Sequence, residues 1–582
     1  MTDALSMTDR STHGSPPAFD LSAFLKNRVG PGAIYVWLLA FVLVPNLLLV
    51  FTSLMKSSGG AVVYEPTLAN YISVVGSATV QVLALKTVVV AAISALLATA
   101  VAYPLAFYIS RNLTKSKTTA AMLIVIPLWI SLLMRIFAWR VILGERGVLN
   151  TLLINAGVIE TPSSLFLYTP LSVILTLTSV AIPYVFVAAY TAIERVPFSL
   201  IEAARDNGAS NYRTFTKIVW PLTRQGTAIG IALAFLMAIG DYVTPSMVGG
   251  LNGTMLGMVI SSQFGMAGNW PLGSALAIYI LVLVVVCLAV LFVALRSRGV
   301  LTEVDAGVKP IVKQWRELDG AQKVRRLFGR VLFLLPYVVL YAPLVVITLF
   351  SFNDSTVQSL PFKGFTLKWY QDLPQNGALL AALFKSLELA VIVTALAVVI
   401  GTAFSFLLVN WTGRFASAAE NLIALPLAVP GVVLGISMVM AASAAGVAPG
   451  MGRLVIGHLV FVMPVVMLVV TARLKRIDPS FALAARDLGA GWWTAFWKIQ
   501  FPMVRSAVVG GALLGFTISV DEVVVSLFLT GAEPTLPVYV WNQTRFGFTP
   551  SVNAIFAVIG AVSLMLVLFA QALINPDSKR TN

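Results

Sequence analysis

Three acidic residues lie within stretches of sequence that are otherwise apolar, namely Asp241 and the adjacent pair Asp521 and Glu522. A charged side chain at the centre of a bilayer costs on the order of 2.5 to 3.5 kcal/mol on insertion scales, so each needs a reason to be there. Carboxylates that converge from two segments would suit the passage of an organic cation. The alternative is that they cap helix ends or bond to a neighbouring helix.

Aromatic and basic side chains elsewhere in apolar sequence bear on the same choice. Tyr242 and Trp129 have ring faces that attract a cation by about 0.5 to 2 kcal/mol, although packing or an interfacial position would also explain them. Arg135 and Arg140 would favour an anionic substrate or would pair with Asp241. Of these two roles for the arginines, we expect the pairing.

No other set of residues has the composition of a catalytic or metal site. The chain has one cysteine, Cys287, and two histidines, His13 and His458, so it has too few ligands for a multi-cysteine or histidine metal site. No segment has the phosphate-binding pattern G-x-x-x-x-G-K-[ST]. We therefore predict no catalytic residue, no metal and no cofactor in this chain.

The composition indicates which elements must position the acids. Of 582 residues, 58% are hydrophobic and 11% are charged, against about 25% charged in a typical soluble protein. A membrane span takes roughly 20 apolar residues, and the chain offers about twelve such stretches, six in each half. We place them at 34–54, 81–109, 119–143, 170–193, 226–249, 272–296, 329–351, 384–410, 419–443, 454–474, 505–529 and 551–574.

The excess of basic residues indicates the orientation. The formal net charge is +15, from 39 Lys and Arg against 24 Asp and Glu. With the amino terminus inside, about 29 basic residues fall in cytoplasmic segments and about 6 outside, an asymmetry typical of a bacterial inner-membrane protein. This asymmetry predicts both termini in the cytoplasm. The polar first thirty residues have no signal-peptide pattern, so we expect the first span to be retained. Charge spread over loops in this way does not indicate nucleic-acid binding.

One segment before the fifth predicted span occurs twice, at an offset of about 281 residues. The first copy reads EAARDNGASNYRTFTKIVWPL and begins at Glu202; the second reads LAARDLGAGWWTAFWKIQFPM and begins at Leu483. The same offset relates Pro183 to Pro464. The chain is therefore predicted to consist of two homologous six-span halves.

The repeated segment is predicted to form a helix–turn–helix in a cytoplasmic loop. A short helix would end at Gly208 or Gly489, in the left-handed conformation that glycine favours. A second short helix would then run to Pro221 or Pro502. An ordinary amphipathic loop would also explain one copy, but two copies in register favour a partner of matching twofold symmetry.

The pattern Glu-Ala-Ala, three residues, Gly, then Ile-x-x-Pro resembles the coupling loop of permease subunits of ATP-binding-cassette importers of the type I, MetI-like fold. This resemblance implies an all-α integral membrane fold whose two loops dock on two copies of a cytoplasmic ATPase, which holds the ATP and Mg²⁺. It also implies an extracytoplasmic substrate-binding protein. The matching positions are Glu202, Ala203, Ala204, Gly208, Pro221, Ala484, Ala485, Gly489 and Pro502. Leu483 replaces the family's acid, which suggests unequal ATPase contacts.

Other segments resemble the two permease subunits of spermidine/putrescine importers. Residues 126–143 and 240–245 are similar to the first subunit; residues 351–355, 364–370, 426–438 and 519–531 are similar to the second. The resemblance implies both subunits fused in one chain that moves a small organic cation into the cytoplasm by alternating access. We expect Asp241, Tyr242, Asp521 and Glu522 to lie on the substrate pathway.

Other readings remain open at this point. Related permeases carry ferric ion, thiosulfate or aminophosphonates. An ion-coupled secondary transporter also commonly has about twelve spans and internal repeats, but it would not need paired coupling loops. A channel would conduct without ATP.

We divide the chain according to these predictions, in seven segments. They are an N-terminal cytoplasmic tail at 1–30, the first helix and outer loop at 31–80, the first ABC transmembrane type-1 domain at 81–296, a cytoplasmic linker at 297–328, the helix and outer loop of the second half at 329–380, the second ABC transmembrane type-1 domain at 381–574 and a cytoplasmic tail at 575–582.

Overall fold

The computed structural model describes residues 30–113, 116–295, 320–409, 411, 414–478, 480–543 and 550–574. These residues are mainly helical, and the strands among them are the antiparallel pair β1 (Lys56–Ser58) and β2 (Ala61–Val63). The predicted tails and most of the predicted linker lie outside the described residues.

The described residues of the first half form α-helices with these bounds: α1 Gly30–Leu38, α2 Val44–Ser53, α3 Ala69–Gly76, α4 Ala78–Asn112, α5 Lys117–Val125, α6 Leu132–Leu143, α7 Val148–Asn155, α8 Pro170–Glu194, α9 Phe198–Asp206, α10 Asn211–Thr214, α11 Trp220–Ile239, α12 Leu256–Phe264 and α13 Trp270–Ala294. A π-helical turn at Leu39–Leu43 joins α1 to α2.

The described residues of the second half form α-helices with these bounds: α14 Gly320–Phe350, α15 Lys368–Asp372, α16 Gly377–Val409, α17 Arg414–Ile423, α18 Leu425–Ala428, α19 Gly431–Ala444, α20 Met451–Leu474, α21 Ser480–Asp487, α22 Trp492–Ala495, α23 Phe501–Asp521, α24 Val524–Leu529, α25 Leu536–Gln543 and α26 Ser551–Ile574.

Three long helices form the centre of each half. In the first half α4, α8 and α11 pack against one another, and in the second half α16, α20 and α23 do the same. Small residues permit close approach of these helices: a Cβ added to Gly230 of α11 would lie 3.0 Å from the Cβ of Ala188 in α8. The repeated sequence thus folds into two equivalent bundles.

The first span of each half packs partly on the other half. Helix α2 lies against α13 of its own half and against α19 of the second half, while α14 lies against α26 and against α6 of the first half. Ile34, Trp37, Leu38 and Val42 belong to a hydrophobic cluster whose other buried members, among them Leu434, come from the second half. The two halves therefore share their core.

The third predicted span of each half is broken. In the first half the segments Lys117–Trp129 and Leu132–Asn155 meet at 95°. The break follows Pro127, and the Ser131 hydroxyl caps the new helix by accepting from the Met134 N–H at 3.4 Å. In the second half α19 begins directly after Pro430. Because proline lacks an N–H and disfavours helix at the preceding residue, the predicted continuous spans 119–143 and 419–443 are wrong.

Within the described residues, nine helices are long and apolar enough to cross a membrane, or ten if the bent pair counts as one span. Two further predicted spans correspond to shorter apolar helices, Gly431–Ala444 and Ser551–Met565. The protein is thus a multi-pass, all-α membrane protein. The total of about twelve spans stays a prediction.

Candidate functional site

The repeated segments form two turns of the same geometry. Helix α9 is followed by Gly208 and Ala209, whose N–H groups donate to the carbonyls of Arg205 and Ala204, both at 2.9 Å. This pair of bonds is the Schellman cap, which needs a positive φ at its glycine. The φ of Gly208 is 77° and that of Gly489, which has the same two bonds after α21, is 84°. The predicted left-handed turns are confirmed.

The second helix of each loop does not stop at its proline. Residues Asn211–Ile239 are helical throughout, with a π-helical turn at Phe215–Val219, and Pro221 lies in the first turn of α11. Pro502 occupies the same place after the π-helical turn Phe496–Gln500. The predicted separate second helix is therefore wrong: the loop is a direct extension of the fifth span. A displacement of the loop would therefore move the fifth span with it.

The first loop presents a polar outer surface. Glu202, Ala203 and Gly208 are exposed and Ala204 is half-buried. On the opposite face Ile201 is buried in a small cluster with Val196 and Val219. The packed face fixes α9 against the protein and leaves the Glu-Ala-Ala face open.

The second loop presents a more apolar surface. Ala484 is exposed, while Ala485 is buried. Leu483, which replaces the acid, is 58% exposed, and Leu488 is 89% exposed. Ahead of α21, the Ser480 N–H donates to Asp478 Oδ1 at 2.9 Å, a bond that holds the pKa of the Asp478 carboxyl below its usual value. The two loops share a backbone but differ in side chains.

The helix that leads into each loop is held at its end by an ion pair, and the helix supplies the acid in one half and the base in the other. At the end of α8, Glu194 pairs with Lys117 at 2.7 Å, and at the end of the equivalent helix α20, Lys475 pairs with Glu420 at 2.5 Å. The repeat offset relates Glu194 to Lys475, so the acid and the base have exchanged places. In the first half Arg111 also donates to the carbonyl of Ile193 at 2.6 Å.

Asp241 lies just beyond the end of α11 and caps the helical segment that follows. The Val243 N–H donates to Asp241 Oδ1 at 2.7 Å and the Thr244 N–H donates to the same oxygen at 3.2 Å. The Thr244 hydroxyl donates to Oδ2. Asp241 is 8% exposed, and these hydrogen-bond partners of its carboxylate belong to its own half.

Asp521 and Glu522 have different partners although they are adjacent. The Val525 N–H donates to Glu522 Oε1 at 2.9 Å, which places Glu522 in the same local capping role as Asp241. Asp521 instead reaches into the first half: the Leu132 N–H donates to Oδ2 at 2.6 Å and the Ser131 hydroxyl donates to Oδ1. It caps α6 from the opposite half.

Tyr242 lies at the boundary between the halves. It is 2% exposed, and its ring centroid is 6.0 Å from that of Trp541 and 6.3 Å from that of Phe528, both in the second half. Trp129 is half-buried. The structure therefore brings Asp241, Tyr242 and the Asp521–Glu522 pair to the ends of the two fifth spans, at the boundary between the halves.

The basic residues of the third span have other partners than predicted. Arg135 is 3% exposed, and the ion pairs of the described residues do not include one between Arg135 and Asp241. Arg140 donates to the Tyr168 hydroxyl at 3.2 Å. The pairing was misjudged because the break in the span, which sets the direction of α6, was not foreseen.

His458 has a structural environment, as expected from its apolar surroundings. Its side chain is fully buried, with Nδ1 2.9 Å from Ser519 Oγ and Nε2 2.9 Å from Ser526 Oγ. Among the described residues no group of three or more His, Cys, Asp and Glu side chains is arranged to hold a metal ion.

The contact between the halves is the part of the site that sequence reasoning missed. Gly240 packs against Pro430, since a Cβ on Gly240 would lie 2.6 Å from the Pro430 Cβ, and Asp521 bonds to Ser131. The signal in the sequence was the shared Pro-Leu pair, Pro127–Leu128 and Pro426–Leu427, shortly before Ser131 and Pro430. This pair marks the equivalent breaks in the two third spans, but it does not show which residues of the other half they contact.

The sequence is similar to known transport proteins along most of its length. Residues 102–301 and 397–580 each match the family described as binding-protein-dependent transport system inner membrane component. The spermidine/putrescine transport system permease protein PotB of Haemophilus influenzae is 34% identical over 46% of this chain and 92% of its own length. PotC of Escherichia coli K12 is 33% identical over 42% and 92%, and PotB of the same strain is 33% identical over 45% and 94%.

Two kinds of relative thus match almost to their full length, although neither covers half of this chain. That pattern, together with the two family matches, agrees with a fusion of two permease subunits. The chain belongs to the family of binding-protein-dependent transport system inner membrane components, with two copies of the family's domain in one polypeptide.

Proposed function

We propose that this protein is the permease of an ATP-binding-cassette importer that moves a polyamine, such as spermidine or putrescine, into the cytoplasm by alternating access between its halves. The observation that carries the proposal is the pair of Schellman-capped loops built directly onto the fifth spans. The names of the relatives PotB and PotC supply the substrate class.

ATP hydrolysis would be performed by two copies of a separate cytoplasmic ATPase, one at each loop, with ATP and Mg²⁺ bound there. Glu202, Ala203, Ala204 and Gly208 would form the first contact, with Pro221 at its base. Ala484, Ala485 and Gly489 would form the second, with Pro502 at its base. Since Leu483 is exposed where Glu202 stands in the first loop, the second contact would be more apolar.

The substrate pathway would follow the boundary between the halves, past Asp241, Tyr242, Asp521 and Glu522. Three carboxylates at one boundary favour a cation of two or more charges, and the Tyr242 ring supplies a face that attracts cations. In the observed geometry the carboxylates accept from backbone N–H groups, so an entering cation would compete with helix caps.

The basic loops support a topology with both termini in the cytoplasm of a bacterial inner membrane. An extracytoplasmic binding protein would deliver the substrate to the opposite face. The β1–β2 hairpin and the loop from Ser351 to Thr366, which closes by a bridge between Asn353 and Phe365, belong to that face in this topology.

Uptake of radiolabelled spermidine into proteoliposomes tests the proposal. The full chain is reconstituted with a candidate ATPase and a candidate binding protein from the same organism, with ATP enclosed on the ATPase side. We expect uptake that needs all three proteins and ATP. Accumulation by the chain alone on an ion gradient would contradict the importer mechanism in favour of a secondary transporter, and equilibration without ATP would indicate a channel.

The substrate class needs a separate comparison in the same vesicles. Ferric ion, thiosulfate and an aminophosphonate are offered in place of spermidine, since permeases of the same architecture take each of these. ATP-dependent uptake of one of them, with none of spermidine, would retain the importer mechanism and overturn the polyamine assignment.

A further inference from the structure

The two halves meet at two equivalent places with different chemistry. The repeat offset relates Gly240 to Asp521, and the Pro-Leu pairs relate Ser131 to Pro430. The fold places one member of each equivalent pair against a member of the other pair across the halves. Gly240 packs on Pro430, and Asp521 bonds to Ser131. The first contact is apolar and the second is polar and charged.

The polar contact has the properties of a bound anion at a helix N-terminus. Asp521 accepts from the Ser131 hydroxyl and from the Leu132 N–H, the first residue of the twelve-residue helix α6. An N-terminus stabilises negative charge through its free N–H groups and the helix dipole. Arg135, one turn further along the same helix, is 3% exposed, so α6 also carries a buried cationic side chain close to its first turn.

We propose that Asp521, Ser131 and Leu132 form a latch that holds the two halves together in the observed state, and that Ser131 is the residue that positions the Asp521 carboxylate in it. The proposal rests on the proposed function in one respect, that the pathway runs between the halves. Opening that boundary requires Asp521 to leave α6, while the Gly240–Pro430 contact has no hydrogen bond to break.

The latch assigns Asp521 a task that Asp241 and Glu522 do not have. Those two carboxylates cap segments of their own half, so movement of one half relative to the other leaves their bonds intact. Asp521 alone among the three is released by such a movement. A released carboxylate is then free to accept a cation at the moment the pathway opens.

Ser131→Ala tests the latch in the full chain assembled with its ATPase, by ATP hydrolysis in the absence of binding protein. Losing a hydrogen bond to a charged group should favour the unlatched state by about tenfold, and we expect basal hydrolysis to rise accordingly. Ser77→Ala is the matched control, because Ser77 also caps a helix by accepting from an N–H at 3.4 Å but has its hydrogen-bond partners within its own half. A rise no larger than that of Ser77→Ala overturns the latch.

A second readout does not depend on the partners. In nanodiscs holding the purified full chain, amide hydrogen exchange across residues 130–136 should be faster in Ser131→Ala and in Asp521→Asn than in Ser77→Ala. Unchanged exchange in both variants overturns the latch. Failure of the wild-type complex to hydrolyse ATP would instead count against the proposed function, and the exchange measurement would still decide the latch.

Discussion

At the scale of single residues, the acids within the apolar sequence have turned out to be helix caps. The sequence predicted where they lie and offered capping as one of two roles, and the structure shows the capping geometry at all three carboxylates. Their contact with substrate stays a prediction. Capping and transport are compatible, because a carboxylate held by N–H donors is already fixed in position when a cation arrives.

Asp241 allows the two roles to be separated by substitution. Asp241→Asn keeps an oxygen for the Val243 and Thr244 N–H groups but removes the charge, so we expect normal folding with impaired spermidine uptake. Asp241→Ala leaves both buried donors without an acceptor and should lower the free energy of unfolding by about 1 to 3 kcal/mol.

Thermal unfolding in detergent and initial uptake rates measure the two effects, and ATPase binding serves as the control that neither variant should change. Full uptake by Asp241→Asn would remove this carboxylate from the pathway.

Glu533 provides a pH dependence outside the membrane. Its carboxylate pairs at 2.8 Å with Lys385, whose side chain is 12% exposed, and this pairing holds the pKa of Glu533 below its ordinary value of 4.5. A lowered pKa means that the ion pair stabilises the fold at neutral pH and is lost as the pH falls through that lowered value.

We therefore expect Glu533→Gln to lower the unfolding temperature at pH 7 and to match the wild type at a pH well below 4.5. Glu65→Gln is the control, since the pKa of Glu65 is also lowered by its lysine but both partners are exposed, so its effect should be smaller. A difference that persists unchanged in acid would contradict the assignment.

At the scale of elements, the left-handed turns of the two repeated loops were predicted, whereas the breaks in the third spans were not, although the Pro-Leu pairs mark their places. The glycine, the small Ala pair and the repeat defined the turn locally, so Gly208 and Gly489 have the expected φ. The direction that α6 takes after the break depends on what holds its first residues. Ser131 and Leu132 are held by Asp521, which is distant in sequence, and no local pattern reports that contact.

The turn at Gly208 can be tested without changing the space around it. A Cβ at Gly208 would meet nothing within 4 Å, so substitution there acts through the backbone alone. Gly208→Val forces a β-branched residue to positive φ and should sharply reduce ATP-driven uptake, whereas Gly208→Asn should retain most of it because asparagine tolerates this conformation.

Uptake per ATP hydrolysed measures the coupling. Equal values for the two variants would show that the left-handed turn is not required for it.

At the scale of the whole molecule, the halves are two subunits that share a core. The first helix of each packs on the other, and the ring of Tyr35 meets that of Trp411 at 5.5 Å. The repeat in the sequence predicted two halves. The packing of each half's first helix on the other half depends on tertiary contacts, which hydropathy does not report.

Because separate subunits exist among the relatives, the covalent link should be dispensable. Coexpressed fragments 1–310 and 311–582 are expected to copurify through a tag on either one and to support spermidine uptake. A first fragment that begins after Ser53 should copurify poorly, since it lacks the helix that packs on α19. Equal recovery with and without that helix would show that the exchange contributes little to assembly.

The exchanged first helix also sets an order of events during biogenesis. Val42 packs in a cluster with Leu434, which the ribosome adds roughly 390 residues later, about 20 to 80 s at usual rates of synthesis. Until then the face of the helix that will be covered by the second half must be sheltered by lipid or by the insertion machinery. A nascent chain arrested before α19 could therefore complete the packing of its first bundle while its first helix still lacked the partners that the second half supplies.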